Sequence, residues 1–289
     1  MIRIATRGSA LAIAQARQVA EMLGGAELVE VSSDGELGDK ARFVRGVEQA
    51  LLAGEADIGV HSAKDLPAEM TAGLAIAAVP PRSDAADAWI GVGGSLDEVP
   101  EGARVGTASL RRRAQLLAAR PDLRVGELHG NVDTRLRKLA KGELDAIVLA
   151  VAGLRRLGRE DEASFAIPAE TMTPAAGQGA LVLQARAGDD AAAGAAAIGD
   201  ATALRELSAE RAAVALLEAD CTSPIGVLAS AAGERMSIEA FVGLPDGSEW
   251  VRDRIEGDAS EPEGLGRLLA ERLQSAGGRD ILDRAGAMT

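Results

Sequence analysis

Short apolar segments alternate with longer amphipathic segments through the first half of the chain, and this alternation restricts the fold more than any other feature. Residues 2–6, 27–33 and 57–62 have the pattern of strands, whereas residues 9–25 and 41–56 have the apolar spacing of helices. Strands separated by helices of this length form right-handed βαβ units, in which the strands are parallel. The sequence therefore predicts an α/β fold that begins with a mainly parallel sheet.

A second stretch of the same kind follows a polar, proline-containing break at residues 80–87. Its opening, VGTASLRRRAQL, is similar to the start of the chain, IATRGSALAIAQA, because each has a strand, a turn with Thr or Ser and a helix. Its predicted elements are strands at 104–108, 124–128 and 145–150 and helices at 109–119 and 131–141. We therefore expect two related lobes, each built on parallel strands.

The last third of the chain has a different pattern. A stretch rich in Ala, Gly and Asp at residues 187–201 is typical of a linker. After it come a helix at 202–218, three alternating segments and a terminal helix near 262–276. This order predicts a small α+β domain with an antiparallel sheet.

Charge is distributed unevenly along the sequence. The 289 residues carry a net charge of −13 at pH 7, yet residues 103–159 contain thirteen Arg or Lys and only five Asp or Glu. The acidic whole and the 2% aromatic content argue against a nucleic-acid coat, which needs positive charge and stacking side chains. A basic middle indicates one confined anion site, although a solvated basic face has the same composition.

Several chemistries are excluded or unsupported by the motifs. The single cysteine, Cys221, has no partner for an internal disulfide, and with His61 and His129 it is too few for a structural zinc site. No phosphate-loop or nucleophile-elbow motif is present. No apolar run approaches the ~20 residues of a membrane span, and the start of the chain has the pattern of a strand. We expect a cytoplasmic location.

Arginines stand at three predicted helix N-termini, where positive charge is least favourable. They are Arg7 before a Ser9 cap, Arg111 and Arg112 after a Ser109 cap, and Arg135 one turn after an Asn131 cap. A bound anion relieves this conflict, because helix N-termini and guanidinium groups both bind carboxylates and phosphates. For one helix an exposed arginine is the simpler explanation, but three such helices indicate a ligand with several negative charges.

The segment VHSAKDLP, residues 60–67, also follows a predicted strand. Lys64 and Asp65 are either a surface pair in a turn or part of the same basic cleft. In a cleft, Asp65 is suited to stabilise a developing cation or to transfer a proton. Arg156 follows another strand and adds to the positive charge.

Eight motifs together resemble the porphobilinogen deaminase family, with matching order and spacing from residue 2 to about residue 245. They are RIATRGSALAIAQA, ADIGVHSAKDLP, VGTASLRRRAQL, HGNVDTRL, DAIVLAVAGLRRLG, PAAGQGA, SAERA and DCTSPIG. The resemblance implies three domains: two similar to the lobes of periplasmic binding proteins, with mixed, mainly parallel sheets, and a small C-terminal α+β domain. Domain 1 is then expected at residues 1–82 and 177–197, domain 2 at 83–176 and domain 3 at 198–289.

The resemblance also implies an activity, a cofactor and partners. The family condenses four porphobilinogen molecules head to tail with loss of ammonia, which yields 1-hydroxymethylbilane for tetrapyrrole biosynthesis. The primer is a dipyrromethane that is expected here as a thioether on Cys221. A monomer without metal, nucleic acid or membrane is implied, and a non-catalytic two-lobed anion-binding module is the alternative.

The family's functional positions fall on named residues of this sequence. The resemblance implies that Asp65 is catalytic, that Lys64, Asp65, Ser109, Arg111, Arg112, His129 and Arg135 contact the cofactor, that Arg7, Ser9, Arg156 and Gln178 contact substrate, and that Lys40 belongs to a loop over the site. Two positions depart from the family pattern. His129 stands where an arginine is usual, and Asp220 precedes Cys221, where its charge is expected to disfavour the thiolate.

Overall fold

The computed structural model describes residues 1–32, 42–67, 69–220 and 222–288, with only the backbone described at residues 42 and 43. These residues form two compact units. Unit 1 comprises residues 1–83 and 179–204, and unit 2 comprises residues 84–178 and 205–289.

The described strands are, in chain order, β1 (Arg3–Arg7), β2 (Glu27–Val31), β3 (Ile58–Ser62), β4 (Leu74–Ala78), β5 (Asp87–Gly91), β6 (Arg104–Gly106), β7 (Arg124–Gly126), β8 (Ala146–Ala150), β9 (Phe165–Ile167), β10 (Leu181–Arg186), β11 (Ile225–Ala232), β12 (Arg235–Gly243) and β13 (Trp250–Asp258). The described helices are α1 (Ala10–Met22), α2 (Arg42–Leu52), α3 (Leu110–Ala119), α4 (Val132–Ala140), α5 (Val151–Arg156), α6 (Asp190–Ala196), α7 (Ala201–Leu216), α8 (Pro262–Ser275) and α9 (Gly278–Ala287). A short 3-10 helix, Ala63–Asp65, follows β3.

Unit 1 is built on a five-stranded sheet with the order β2-β1-β3-β10-β4, which we call the N-terminal sheet. Strand β1 is parallel to β2 and β3, whereas β10 is antiparallel to β3 and β4. Its core contains Ile4, Ile58 and Leu183, all fully buried. The parallel strands β1 and β3 are neighbours, so the turns that follow them lie at the same edge of the sheet.

Unit 2 contains a second five-stranded sheet, the middle sheet, with the order β7-β6-β8-β5-β9. Strand β6 is parallel to β7 and β8, and β5 is antiparallel to β8 and β9. Each five-stranded sheet therefore has three parallel strands followed by a reversed strand that enters from elsewhere in the sequence. This shared order confirms the prediction of two related lobes with mixed sheets.

The remainder of unit 2 is the C-terminal sheet, an antiparallel meander of β11, β12 and β13 covered by helices. Leu269 and Leu273 of α8 and Ile281 of α9 are buried with Ile238 of β12. Gly266 of α8 faces the backbone of Ala209 in α7, so closely that a side chain would collide with it. The predicted α+β arrangement is confirmed.

Two parts of the secondary structure were not expected. The stretch 187–201 is not a linker throughout, because its Asp189 caps helix α6 by accepting a hydrogen bond from the backbone N–H of Ala191 at 2.9 Å. Alanine, which is abundant there, is the best helix former, and an Asp cap satisfies a free N–H. Strand β5 begins at Asp87, inside the segment 80–87 that was interpreted only as a break.

Candidate functional site

In unit 2, the turn between β6 and α3 is fixed by side-chain hydrogen bonds. The backbone N–H of Ser109 donates to Thr107 Oγ1 at 3.1 Å, and Ser109 Oγ accepts from the backbone N–H of Arg112 at 3.4 Å. The predicted Ser109 cap is therefore confirmed. It places Arg111 and Arg112 in the first turn of α3, as the sequence indicates.

Both arginines bind a buried carboxylate, that of Asp87 at the start of β5. Arg111 Nη1 donates to Asp87 Oδ2 at 2.7 Å, whereas Arg112 donates to Oδ1 from Nη2 at 2.6 Å and from Nε at 3.0 Å. Gln178 Nε2 donates to the same Oδ1 at 2.9 Å. We call Asp87, Arg111, Arg112 and Gln178 the Asp87 cluster; each of the four is at most 5% exposed.

Backbone carbonyl groups complete the Asp87 cluster. Arg111 Nη1 also donates to Thr173 O at 2.9 Å, and Arg112 Nη1 donates to Val148 O at 2.9 Å. Gln178 Nε2 donates to Ala85 O at 2.7 Å. The cluster therefore connects α3 to β8 and to the segments of unit 2 that adjoin unit 1 in sequence.

The charged groups of the Asp87 cluster shift one another's pKa values. Burial alone would raise the pKa of Asp87, but the positive charges and hydrogen bonds of its partners outweigh burial and hold this pKa well below its usual range. Burial lowers the pKa of Arg111, which the charge of Asp87 opposes. Two guanidinium groups face one carboxylate, so the cluster keeps an excess of positive charge.

This geometry corrects one step of the sequence argument. We expected an external anion to relieve the charge of Arg111 and Arg112 at the helix N-terminus, yet the fold itself supplies Asp87. The signal was a single acidic residue at the start of a buried strand, DAWIG, which had been included in a polar break. Gln178, for which contact with substrate stays a prediction, is an internal member of this cluster.

The N-terminus of α4 carries a second positive group. Asn131 Oδ1 accepts from the backbone N–H of Thr134 at 2.9 Å, which confirms the predicted cap, and Arg135 Nε donates to Gly130 O at 2.8 Å. Gly130 has φ of +114°, a backbone conformation in which a residue with a side chain would be strained. Burial, together with the charge of Arg112, lowers the pKa of Arg135 to about 10. Within the described ranges, no carboxylate pairs with Arg135.

Two further predicted residues lie in segments that follow strands of the middle sheet, one in α5 after β8 and one between β7 and α4. Arg156 is in the last turn of α5, where burial lowers its pKa to about 10. His129 is largely exposed, and its Nε2 lies 2.9 Å from Glu127 Oε2. The contact predicted between His129 and a ligand carboxylate stays a prediction; the structure shows a carboxylate of the protein beside the ring.

In unit 1, the predicted residues gather at one edge of the N-terminal sheet. Arg7 ends β1, and Ser9 caps α1 by accepting from the backbone N–H of Ala12 at 3.3 Å. Lys64 and Asp65 are half-buried in the 3-10 helix that follows β3, the parallel neighbour of β1. Among the described residues, nothing hydrogen-bonds to the carboxylate of Asp65.

A chain of polar side chains in unit 1 begins at this edge and is buried at His61 and Gln184. His61 Nε2 lies 3.0 Å from Gln184 Oε1, Gln184 Nε2 donates to Glu48 Oε1 at 2.9 Å, and Thr71 Oγ1 donates to Glu48 Oε2 at 2.7 Å. We call these four residues the His61 chain. Because a carboxylate only accepts, Gln184 presents its N–H to Glu48 and its carbonyl to His61, so His61 donates from Nε2.

The His61 ring is kept neutral by its surroundings. Burial lowers its pKa to about 4, although the hydrogen bond to Gln184 and the charges of Glu48 and Asp65 oppose this, and the charge of Arg7 adds to it. His61 is thus within electrostatic reach of both Arg7 and Asp65. Sequence reasoning considered His61 only as a zinc ligand and missed this chain.

Lys40 and Cys221, two of the predicted functional residues, lie outside the described residues. The neighbour of Cys221, Asp220, accepts hydrogen bonds at Oδ1 from the backbone N–H groups and hydroxyl groups of Thr222 and Ser223. Burial would raise the pKa of Asp220, but these bonds outweigh it and lower the pKa. The Asp220 carboxylate is therefore already hydrogen-bonded within its own turn.

Comparison with known proteins decides the family. Residues 2–194 match the model of the porphobilinogen deaminase dipyromethane cofactor binding domain, and residues 204–275 match the porphobilinogen deaminase C-terminal domain. A porphobilinogen deaminase of Syntrophus aciditrophicus is 44% identical over 299 residues, with 98% of each chain covered. One of Thermus thermophilus is 45% identical over 298 residues, again with 98% of each covered. The chain belongs to the porphobilinogen deaminase family.

The family, its transferase class and its dipyrromethane cofactor, all predicted from the sequence, are therefore confirmed. A TRAP periplasmic solute binding protein of Desulfovibrio salexigens is 11% identical with a TM-score of 0.41, covering 68% of this chain and 72% of that one. The two binding-protein-like lobes of the porphobilinogen deaminase fold rest instead on the family and on the strand order that both five-stranded sheets share.

Two features are absent from the described residues. No described helix has both the length and the apolar character that crossing a bilayer requires. Within the same residues, no three His, Cys, Asp or Glu side chains are grouped so that they would hold a metal ion.

Proposed function

We propose that this chain condenses four porphobilinogen molecules head to tail, releases ammonia at each addition and produces 1-hydroxymethylbilane. The observation that carries the proposal is the match of residues 2–194 to the dipyromethane cofactor binding domain, because this range contains the predicted arginines from Arg7 to Arg156. The order of domains that we predicted, residues 1–82 with 177–197, 83–176 and 198–289, belongs to the same proposal.

The arginines of the chain bind the substrate's carboxylates. Each porphobilinogen carries an acetate and a propionate, so the growing product becomes a polycarboxylate. Arg135 supports this role because burial and the charge of Arg112 both disfavour its positive charge, and no carboxylate among the described residues compensates it. Arg7 ends β1 and Ser9 caps the N-terminus of α1, where free backbone N–H groups bind anions. Lys64 and Arg156 contribute positively charged side chains.

Asp65 performs the proton transfer. Loss of ammonia requires a proton on the departing amine and a negative group near the cation that is left. Asp65 is half-buried, lies in the 3-10 helix that follows β3 and has no hydrogen-bond partner among the described residues. The protonated side chain gives its proton to the departing amine, and the carboxylate that remains stabilises the positive charge.

The described residues of unit 2 fit a cofactor with several carboxylates. Arg111 Nε is buried and has no hydrogen-bond partner among the described residues, and the Asp87 cluster has an excess of positive charge. Dipyrromethane, when bound, supplies the primer on which condensation begins. We propose that it is attached to Cys221 and held by Ser109, Arg111, Arg135 and His129, with Lys40 over the site.

The mass of the intact protein tests the cofactor. Protein expressed in cells that make porphobilinogen is expected to be heavier than its sequence by two pyrrole units, and Cys221→Ser is expected to have the bare mass. A Cys221→Ser protein that keeps the added mass would contradict the attachment site. Wild-type protein with the bare mass and without turnover would instead indicate the two-lobed anion-binding module.

Substitution of the catalytic carboxylate tests the reaction. Asp65→Asn is expected to retain the mass of the cofactor once loaded and to lose turnover by about 10²-fold or more, because the proton donor is absent. Glu69→Gln, an exposed neighbour, is the matched control. Ammonia release at the wild-type rate by Asp65→Asn would reject its role.

We propose further that the protein acts as a monomer in the cytoplasm and needs no metal. Support comes from the family and from the acidic, weakly aromatic composition. Size-exclusion chromatography with light scattering and turnover in the presence of a chelator test these two statements.

A further inference from the structure

Gln115 lies one turn after the start of α3, and its side-chain amide pairs with the backbone of Thr173. Gln115 Oε1 accepts from the backbone N–H of Thr173 at 2.7 Å, and Gln115 Nε2 donates to Thr173 O at 3.0 Å. Thr173 lies outside every described strand, so this amide supplies both hydrogen bonds that a neighbouring strand would otherwise give. Gln115 is 2% exposed and Thr173 is fully buried.

Arg252, in β13 of the C-terminal sheet, reaches the same amide. Its Nη2 donates to Gln115 Oε1 at 3.2 Å and to Thr171 O at 3.3 Å, and its Nη1 donates to Glu170 O. These acceptors lie in α3 and in the segment after β9, both of which belong to the lobe of the middle sheet. We call Gln115, Thr173 and Arg252 the Gln115 joint, because they link the C-terminal sheet to that lobe.

The other strands of the C-terminal sheet contact the same segment. The backbone N–H of Val227 in β11 donates to Pro174 O at 2.8 Å. Its neighbour Gly226 lies so close to Thr173 O that a side chain there would collide with this oxygen. In β12, Glu239 Oε1 lies 3.5 Å from Thr173 Oγ1. The segment around Thr173 is therefore held between α3 and all three strands of the C-terminal sheet.

The surroundings of Arg252 are those of a connecting side chain. Burial lowers its pKa, and the charges of Glu239 and Glu170 oppose this. Its guanidinium carbon lies 5.5 Å from the centre of the Phe241 ring, within the range of a cation–π contact. Carbonyl groups, an amide, an aromatic ring and acidic side chains of the protein thus surround Arg252, so its charge is used within the fold.

The Gln115 joint links the two parts of unit 2 that the proposed cofactor would connect. The attachment point, Cys221, is in the segment between α7 and β11, which leads into the C-terminal sheet. Residues proposed to bind the cofactor, among them Ser109 and Arg135, lie at the N-termini of α3 and α4 in the other part. A displacement of about 1 Å at a reacting group lowers a rate by as much as about 10²-fold. The position of one part on the other therefore matters for the reaction.

We propose that Gln115 and Arg252 are positioning residues: through the backbone of Thr173 they fix the C-terminal sheet on the lobe of the middle sheet, and so keep the attachment point of the cofactor in register with the residues that bind it. This inference rests on the proposed function, because it requires the cofactor on Cys221. The two side chains act through the backbone that they hold and contact neither cofactor nor substrate.

Gln115→Met and Arg252→Gln each break the joint, and Arg254→Gln, an exposed arginine of the same strand, is the matched control. Turnover is measured well below the melting temperature and is divided by the fraction of protein that carries the cofactor mass. We expect kcat to fall by about tenfold in both variants, with KM for porphobilinogen within about twofold of the wild type. A purely structural role would lower the melting temperature and leave kcat unchanged, so wild-type kcat in either variant overturns the proposal.

The double variant, Gln115→Met with Arg252→Gln, shows whether the two side chains act together. Because they share a hydrogen bond at Gln115 Oε1, the second substitution should add less than about threefold to the loss of kcat from the first. Independent effects would instead multiply, to about 100-fold for two tenfold losses. A loss of that size overturns the joint.

The two tryptophans of the chain give a measurement that needs no cofactor. Trp89 is in β5 of the middle sheet and Trp250 begins β13, so fluorine NMR of protein labelled with fluorotryptophan reports both parts in one sample. Trp250→Phe, at an exposed site, assigns the two resonances. In urea, the two unfolding midpoints should coincide in the wild type and differ by about 0.5 M or more in Gln115→Met and Arg252→Gln.

The urea midpoints separate this inference from the proposed function. Midpoints that differ in the wild type, or that coincide in both variants, overturn the joint whatever the activity of the protein. If the wild type has neither cofactor mass nor turnover, the proposed function fails, while midpoints that separate only in the variants still support the joint between the two parts.

Discussion

The Asp87 cluster and the His61 chain are polar assemblies near candidate functional residues, one in each unit, and they are built in opposite ways. The Asp87 cluster is made of full charges and leaves an excess of positive charge. The His61 chain ends in a histidine that burial keeps neutral. Unit 2 thus holds an excess of buried positive charge, whereas unit 1 fixes hydrogen-bond donors and acceptors within electrostatic reach of Asp65.

The two assemblies should lose different amounts of folding free energy when one member is removed. Removing one partner of a buried ion pair leaves an uncompensated charge and costs about 3–5 kcal/mol. Removing one partner of a neutral hydrogen bond leaves a dipole and costs about 1–3 kcal/mol. Four predictions test this difference between the two units, each with the measurement that checks it.

The largest effect is expected for Asp87→Asn. Arg111 and Arg112 would then be buried without a carboxylate, so the free energy of unfolding of unit 2 should fall by about 3–5 kcal/mol. Urea denaturation followed by circular dichroism measures this loss. Asp145→Asn, which breaks the exposed pair with Arg104, is the control and should cost at most about 1 kcal/mol. Similar losses in the two variants would contradict the role of charge burial.

The second effect is an acid dependence that belongs to unit 1. The pKa of His61 is about 4 in the folded protein and about 6.5 in an unfolded chain, so the unfolded state binds the proton first as the pH falls. Stability should therefore decrease from pH 6.5 to pH 4, by up to about 3 kcal/mol, and this contribution should not change further below pH 4. Above pH 6.5 the histidine is neutral in both states and contributes no slope.

His61→Gln tests this assignment. Urea midpoints of the variant and of the wild type are compared at pH 7, 5.5 and 4. The variant should start less stable at pH 7, because the contact with Gln184 is altered, and should lose less stability on acidification. An equal loss in both proteins between pH 7 and pH 4 would show that other groups cause the acid dependence.

How far the sequence predicts these sites depends on the separation of the residues that interact. The caps at Ser9, Ser109 and Asn131 follow from the sequence, since each cap accepts from the residue three positions later. The Asp87 cluster does not, because Asp87 is 24 and 25 residues from its arginines and 91 residues from Gln178. Nothing in a local pattern indicates which distant side chain neutralises a given arginine.

The same limit applies to the fold. Strand and helix periodicity predicted the parallel strands of both lobes. It did not predict that the reversed strands β5 and β10 each insert between two strands from a distant part of the sequence. Strand β9 has only three residues, too few for a periodic signal. The mixed sheets were expected only from the resemblance to the family, because periodicity alone predicts parallel strands.

The third effect concerns the acceptor at the end of the His61 chain. Glu48 accepts from Gln184 and from Thr71 with separate oxygens, so Glu48→Gln replaces one acceptor with a donor and opposes one of the two bonds. We expect a loss of about 1–2 kcal/mol in the free energy of unfolding of unit 1. Glu55→Gln, on an exposed site after α2, should change stability by less than about 0.5 kcal/mol. Equal effects would indicate that the chain contributes nothing.

The smallest effect compares the two units at equivalent positions. Ser9 caps α1 in unit 1 and Ser109 caps α3 in unit 2, with hydrogen bonds of 3.3 and 3.4 Å to backbone N–H groups. Replacement of either by Ala should cost about 1 kcal/mol in the unit that contains it, and replacement by Gly only a few tenths. If Ser109→Ala costs clearly more than Ser9→Ala, the turn at residue 109 also holds Arg112 against Asp87, and the charged cluster extends to its cap. Equal costs would confine the difference between the units to their buried side chains, since their helix termini would then be stabilised alike.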